Sequence, residues 1–200
     1  LAAVADDLSR PAVIMTADAG SATLAADAVA GALERFGRLD IAMPNAGIYL
    51  PDRGWQVDPG LVDEIVTTNV LGVMHLTHAA IGHFVQAGAG DVVVTSSVSG
   101  HQAIPWEPVY SATKHALQGF VHATRHQLVG TGIRLGAVAP GIVLNELWGR
   151  YVHDASVEDE LRAGRGMTSE DVADAVMFML TRPAYLTIRD LVMLPTNQPI

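Results

Sequence analysis

The chain is expected to fold as an α/β protein, a doubly wound parallel sheet with helices on both faces. Three observations predict it. Short apolar runs at 11–16, 39–44, 92–95 and 133–138 have the length and continuity of strands buried on both faces. They alternate with longer segments of helical apolar spacing at 21–36, 61–85 and 110–128, the order that βα units produce. Charged residues make up only 16% of the chain against about 25% in ordinary domains, and half the residues are hydrophobic, which suits a sheet covered on both sides. With 200 residues the whole of 1–200 fits one domain with a full core.

The elements follow in order. Residues 1–8 have helical apolar spacing without a start signal, which suggests something missing before them. Residues 11–16 (PAVIMT) read as a buried strand, with Asp18 beyond its end placed to cap a helix. The helix over 21–36 presents Leu24, Ala25, Ala28, Val29, Ala32, Leu33 and Phe36 as one stripe, and Gly37 ends it. The strand over 39–44 runs into Asn45-Ala46-Gly47. The helical region over 61–85 carries Asn69 in its apolar middle, an amide that needs a partner, and Gly72, which permits close approach of a neighbour. The strand over 133–138 is followed by Pro140-Gly141. An irregular stretch, 144–167, has the character of a substrate-covering segment, with Leu147, Trp148 and Tyr151 as apolar lining. Thr168 and Asp171 spell a capping box before the apolar helix over 172–180, and 190–194 is a last strand stopped by Pro195.

The stretch from 92 to 114 organises the rest. Its strand ends in Ser96-Ser97 at the sheet's carboxyl edge, where open α/β sheets place their chemistry. A Gly/Pro-punctuated loop follows, and Tyr110-Ser111-Ala112-Thr113-Lys114 opens a helix in which Tyr110 and Lys114 share a face that can turn towards Ser97. A free phenol has a pKa of about 10, too high for efficient acid-base work near neutrality, and an ammonium one turn away is expected to lower it. The Ser97 hydroxyl can hold a substrate oxygen beside the phenol while a hydride leaves the adjoining carbon.

Ser97, Tyr110 thirteen residues later and Lys114 together are similar to the active-site pattern of the short-chain dehydrogenase/reductase family, and the likeness covers essentially all 200 residues. It implies a Rossmann-like fold and an NAD(P)-dependent oxidoreductase that moves hydride between nicotinamide C4 and an alcohol or ketone. In that resemblance Tyr110 is the acid or base and Lys114 lowers its pKa and holds the cofactor ribose. Ser97 orients the substrate oxygen, and Asn69 is a fourth catalytic residue whose water links Lys114 to solvent. The residues alone leave Asn69 open as a satisfied buried amide. Asn45, Ala46 and Gly47 match the family's Asn-Asn-Ala-Gly wall on the adenine-ribose side, with Pro44 in place of the first Asn. Asp18 matches its acid at the adenine amino group. Pro140 and Gly141 match its Pro-Gly turn beside the nicotinamide, with Val143 next to it, and Asn145 stands where Thr is usual. His101, Trp106 and Trp148 are substrate-contact candidates beside Ser97, together with Gln102. PGIVLNELWG and TIRDLVMLPTNQ resemble the family's sugar-alcohol (ribitol-type) dehydrogenases, so a polyol is one expected substrate.

The likeness begins after the family's first βαβ unit. No G-x-G-x-x-G opens any helix here, and the strand that chooses between NAD and NADP is absent from the sequence. In the strand order 3-2-1-4-5-6, residues 11–16 would be strand 3 without a partner and 39–44 strand 4 with one side bare, so the chain is expected to be part of a longer protein.

Composition excludes several classes. A net charge of −9 disfavours nucleic acid or anionic membrane as partner, and the absence of cysteine removes disulfide and thiolate chemistry. No uninterrupted apolar run of membrane-spanning length and no signal peptide stand in the sequence, so the cytoplasm is the expected compartment. The pairs His75/His78 and His122/His126 have helical ligand spacing but no third ligand, and no metal site is expected. By family analogy a homodimer or homotetramer is expected, with Ala79, Ala116, Phe120 and Ala123 suited to helix pairing. The alternative is a non-catalytic binding or structural subunit of the same fold.

Overall fold

The computed structural model describes residues 8, 10–51, 53, 55–148 and 155–200, the side chains of Trp148 and Ala155 excepted. Four parallel strands form one sheet in the order β1 (Ile41–Ala42), β2 (Gly90–Thr95), β3 (Ile133–Pro140), β4 (Asp190–Met193). The β2/β3 ladder runs from Gly90↔Ile133 to Thr95↔Val138, and β4 continues it to Pro140↔Met193, which sets the carboxyl edge of the sheet.

The period of two in these strands builds both faces. Val92, Val94, Leu135 and Ala137 pack on one face against Val73, Ala80, Phe84, Leu117 and Val121. Val93 and Val138 point the other way, against Ala175, Val176 and Met179. The first set of helices is α2 (Pro59–Val66), α3 (Val73–Ala87) and α4 (Pro108–Gln127); the second face is covered by α6 (Ser169–Leu180). Phe84 and Leu117 are fully buried, each worth about 1.5–3 kcal/mol. Helix α1 (Ala22–Phe36) packs on α3; Ser21 caps it by accepting from Leu24 N–H, and Gly37 ends it at φ 73°. The expected capping box is formed, Thr168 and Asp171 bonding reciprocally at the start of α6. An ion pair that the sequence did not announce ties the layers: Arg134 grips Asp91 with two 2.6 Å bonds and also donates to the carbonyls of Leu180 and Arg182.

Several expectations change. Residues 11–16 belong to no strand or helix, and Val13, Ile14 and Met15 are exposed. A strand needs a hydrogen-bonding neighbour, and among the described residues none lies beside this run. β1 is correspondingly a bare-edged strand of two paired residues, although Asp91 N–H and Thr95 N–H reach the carbonyls of Asp40 and Pro44 on either side of it. The helical region at 61–85 is longer, a continuous Pro59–Ala87 of 29 residues, long and apolar enough by itself to cross a membrane. Its buried stripe (Ile65, Asn69, Val73, Thr77, Ala80, Phe84) packs on the protein interior. Residues 67–72 in its middle are wound as a π-turn. The segment 144–167 has more order than expected: a 3₁₀ turn (Glu146–Trp148) and α5 (Ala155–Arg162). Residues 1–7 and Tyr151 lie outside the described residues.

Candidate active site

The carboxyl ends of β1, β2 and β3 open into a cleft of about 610 Å³. Its floor is the turn after β2. Ser97 caps a single 3₁₀ turn (Val98–Gly100), its hydroxyl accepting from Ser99 N–H at 3.2 Å and lying 3.2 Å from Ser99 Oγ and 3.4 Å from the Pro140 carbonyl. Gly100 lets α4 come close: a Cβ there would sit 2.7 Å from the Lys114 carbonyl. Helix α4, begun by Pro108, therefore lays Tyr110 and Lys114 along the floor, 8% and 5% exposed. Ser97, Tyr110 and Lys114 all line the cleft, as their spacing predicts.

Burial dominates the electrostatics. It pushes the Tyr110 phenol up to about 12, Glu107 adding to the rise and the hydrogen bond with Ser97 opposing it. It pushes the Lys114 ammonium down to about 8. This corrects the expectation that Lys114 brings the phenol below 10: its Nζ lies 5.5 Å from the Tyr110 ring centroid and donates to the Thr95 carbonyl at 3.0 Å. Both shifts favour the uncharged forms, so the phenol keeps its proton near neutrality.

Asn69 is completely buried in the π-turn. Its amide pairs both ways with the Ile48 backbone, at 2.8 and 2.9 Å, and donates to Thr113 Oγ1 at 3.3 Å. The side chain thus pins the strand-end segment 45–48 to α4. Gly47 sits between, where a Cβ would lie 3.4 Å from Asn69 Oδ1 and 3.9 Å from Lys114 Nζ. Thr95 bonds Asn45 Oδ1 at 2.8 Å, which holds that side chain at the cleft wall. Gly72 does allow close approach, a Cβ there falling 2.5 Å from the Ala19 carbonyl.

The remaining candidates separate. Asn45, Gly47, Pro140, Gly141, Val143, Asn145 and Trp106 line the cleft; Asp18, Ala46 and His101 do not. Exposed His101 lies past the turn that Ser97 caps. Asp18 accepts from Gly20 N–H at 2.8 Å and leaves the helix cap to Ser21, three residues further on. Trp148's side chain lies outside the described residues. Asn145 Oδ1 accepts from Leu147 N–H at 3.2 Å, so its amide NH₂ is the group with donors to offer a ligand. His75 lies 2.9 Å from the Gly20 carbonyl and His122 3.0 Å from Asp190, and among the described residues no cluster has metal-ligand character.

Sequence reading missed part of the lining. Glu107 is 3% exposed in the cleft, Ser99 donating to it at 2.5 Å. Tyr49 meets Tyr110 edge-on at 5.1 Å between centroids, and its phenol is pushed upward by burial and by a hydrogen bond with Glu107. Gln198 and Ile200 return from the chain's end, and Gln198 Oε1 accepts from Ile142 N–H at 3.0 Å. For Glu107 a signal existed: an acidic residue locked between Trp106 and Pro108 in an otherwise apolar loop. For the others, distance in sequence hides the contact.

The lining fits the nicotinamide-ribose half of a dinucleotide. Lys114 and Asn45 offer polar groups over the β1 and β2 ends, and Gly47 keeps that wall low. Among the described residues no glycine-rich turn opens a helix to take the pyrophosphate.

Comparison with known proteins agrees with the geometry. Residues 1–155 match the family described as short chain dehydrogenase. The chain is 34% identical over 169 residues to sulfoacetaldehyde reductase 2 of Chromohalobacter salexigens, covering 82% of this chain and 67% of that protein. It is 32% identical over 170 residues to an NADP-dependent 3-hydroxy acid dehydrogenase of Schizosaccharomyces pombe, covering 82% and 65%. The chain thus spans about two thirds of the length of those curated relatives. Among solved structures, the closed form of serine dehydrogenase complexed with NADP+ superposes with a TM-score of 0.86 at 25% identity, covering 100% of this chain and 82% of that one.

Proposed function

Because this chain belongs to the short-chain dehydrogenase family, we propose that it works as an NAD(P)-dependent alcohol/ketone oxidoreductase through Ser97, Tyr110 and Lys114. The observation that carries the reading is the placement of these three side chains, all under 9% exposed, on one cleft floor at the sheet's carboxyl edge. A nicotinamide, when bound, supplies or accepts the hydride. The rest belongs to the protein. Ser97 donates to the substrate oxygen and aligns it with the Tyr110 hydroxyl. Tyr110, neutral at physiological pH, gives its proton to that oxygen as a carbonyl is reduced. Lys114 holds its charge beneath the phenol and offers hydrogens to the cofactor ribose. Asn69 keeps the 45–48 wall in register with α4, the position from which a relay water could serve Lys114. The contacts of Asn45, Ala46, Gly47, Pro140, Gly141, Val143 and Asn145 with the cofactor, and of Asp18 with its adenine, belong to the same proposal.

Wider parts of the reading are proposals too. Residues 1–200 act as one domain in which 144–167 covers the substrate. Its two ends meet at the Val143↔Met167 bridge beside the cleft. Ala116, Gly119 and Ala123 form an exposed small-residue stripe on α4, suited to pairing with a second copy in a homodimer or homotetramer. The proposed setting is the cytoplasm.

The test is hydride transfer followed by nicotinamide absorbance with NAD and NADP and a panel of alcohols and carbonyl compounds. Turnover by the protein and its loss by 10²–10⁴-fold in Tyr110→Phe, with the unfolding temperature preserved, is the expected result. Retained turnover in Tyr110→Phe overturns the mechanism. Cofactor binding without any turnover would favour the structural subunit.

A further inference from the structure

We infer that Glu107 is a specificity-determining residue of this cleft, accepting a hydrogen bond from a hydroxyl beside the reacting carbon and excluding anionic substrates. The inference rests on the dehydrogenase reading and deepens it by naming the substrate class.

Glu107 lies three residues before Tyr110, at the N-cap of α4, yet it does not cap the helix: no side-chain bond to the first turn is formed. Its carboxylate turns into the cleft instead, 3% exposed. Burying a carboxylate is unfavourable unless it is paired and hydrogen-bonded, and among the described residues no ion pair includes Glu107. What surrounds it is hydroxyl: Ser99 donates to Oε1 at 2.5 Å and the Tyr49 phenol bonds it as well. Ser99 in turn lies 3.2 Å from Ser97 Oγ, and Tyr49 touches the Tyr110 ring. Glu107 is therefore linked to the Ser97 hydroxyl through Ser99 and to the Tyr110 ring through Tyr49. A carboxylate has about four lone-pair sites, so two hydroxyl partners leave acceptor capacity on the cleft side.

The rest of the lining sharpens the sign. Lys114 is the one Lys or Arg among the described lining residues, and it already donates to the Thr95 carbonyl; Glu146 adds a second acid at the rim. A sulfonate or carboxylate within two bonds of the reacting carbon would meet Glu107 and Glu146 against the single cation of Lys114, which is tied to the Thr95 carbonyl. Two like charges about 5 Å apart in a partly desolvated site discriminate on the order of 10²-fold. A hydroxyl at the same position would gain an acceptor. The relatives named for sulfoacetaldehyde and for 3-hydroxy acids are thus expected to differ from this chain in substrate sign.

The experiment compares glycolaldehyde with sulfoacetaldehyde, matched aldehydes that differ in a hydroxyl against a sulfonate. The protein is expected to reduce glycolaldehyde with kcat/KM about 100-fold or more above sulfoacetaldehyde. Glu107→Gln, which keeps an acceptor and removes the charge, is expected to narrow that ratio at least tenfold, chiefly by gaining on the sulfonate. A purely structural role would depress both substrates alike and leave the ratio unmoved, which overturns the inference. So does a native preference for the sulfonate, or a failure to reduce glycolaldehyde while another carbonyl compound is reduced. No turnover of any carbonyl compound overturns the dehydrogenase reading instead. Should Glu107→Gln lose its fold, Ser99→Ala frees the same carboxylate from one partner; it is expected to shift the kcat/KM ratio of glycolaldehyde to sulfoacetaldehyde several-fold, and an unchanged ratio overturns the inference.

Discussion

The two sides of the cleft are built differently. On the floor, Asn69, Ser97, Tyr110 and Lys114 are all under 9% exposed, and the turn, the helix and the strand that carry them are locked by Gly100, Thr113 and Thr95. On the β1 side, Asp18, Asn45 and Ala46 are exposed, β1 has two paired residues, and residues 11–16 pair with nothing described. The floor is tightly held: Asn69 and Ser97 each have partners on two elements, Lys114 is tied to the Thr95 carbonyl and Tyr110 to Ser97. The β1 wall hangs on few bonds, chiefly Asn69 to Ile48 and Thr95 to Asn45. The proposed chemistry, which requires aligned atoms, is thus lodged where the fold is stiff, and the proposed cofactor contacts, which tolerate adjustment, lie where it is soft.

Replacing Lys114 breaks the floor's function most and its stability least. Burial lowers its pKa from 10.5 to about 8, a penalty of roughly 3 kcal/mol carried by the folded state near pH 7. Lys114→Met is expected to lose turnover by 10²-fold or more yet unfold at the same or a higher temperature at pH 7, measured by calorimetry. The pH dependence carries the sign. The folded pKa lies below the unfolded one, so between about 8 and 10 the unfolded chain binds more protons, and stability rises with pH across that window. Above 10, Tyr110 opposes it, because its folded pKa of about 12 is the higher one. Lys114→Met should lack the rise; urea unfolding at pH 7 and pH 9.5 that shows the same increment in both proteins contradicts the burial assigned to Lys114.

Asn69 is the hinge of the comparison, since it stands on the floor and holds the wall. Asn69→Ala strands the N–H and C=O of Ile48 and withdraws a donor from Thr113, at about 2–3 kcal/mol. The expected result is a lower urea midpoint together with a rise in cofactor KM, with local amide exchange accelerated at 45–48. Unchanged exchange there would mean that the wall is held by something else.

Legibility in the sequence follows the same division. Tyr110 and Lys114 were readable because helix geometry puts residues four apart on one face, and Ser97 because it ends a strand at the sheet's carboxyl edge thirteen residues earlier. Thr168 and Asp171 were readable for the same local reason. What local spacing cannot carry was misread or missed. Residues 11–16 have the composition of a strand, but pairing belongs to a neighbour. The lowered Tyr110 pKa assumed that proximity of charge outweighs burial, and at 8% exposure it does not. Gln198 and Ile200 reach the cleft, and Tyr49 reaches Tyr110 and Glu107, from segments with no signal of their own, and the two-way bond of Asn69 to Ile48 spans 21 residues.

The smallest expected effect sharpens the soft side. Asp18 holds Gly20 N–H at 2.8 Å just ahead of α1, and Gly20 is packed so tightly that a Cβ there would lie 2.3 Å from the Thr67 side chain. Asp18→Asn keeps that turn bond while removing the charge, so its stability change should stay within about 0.5 kcal/mol. If the acid contacts the adenine amino group as proposed, cofactor KM rises by no more than about fivefold and kcat is untouched, because the contact is equal in ground and transition states. A fall in kcat instead would show that the wall transmits strain to the floor, and the separation between the two sides would then be one of exposure and not of function.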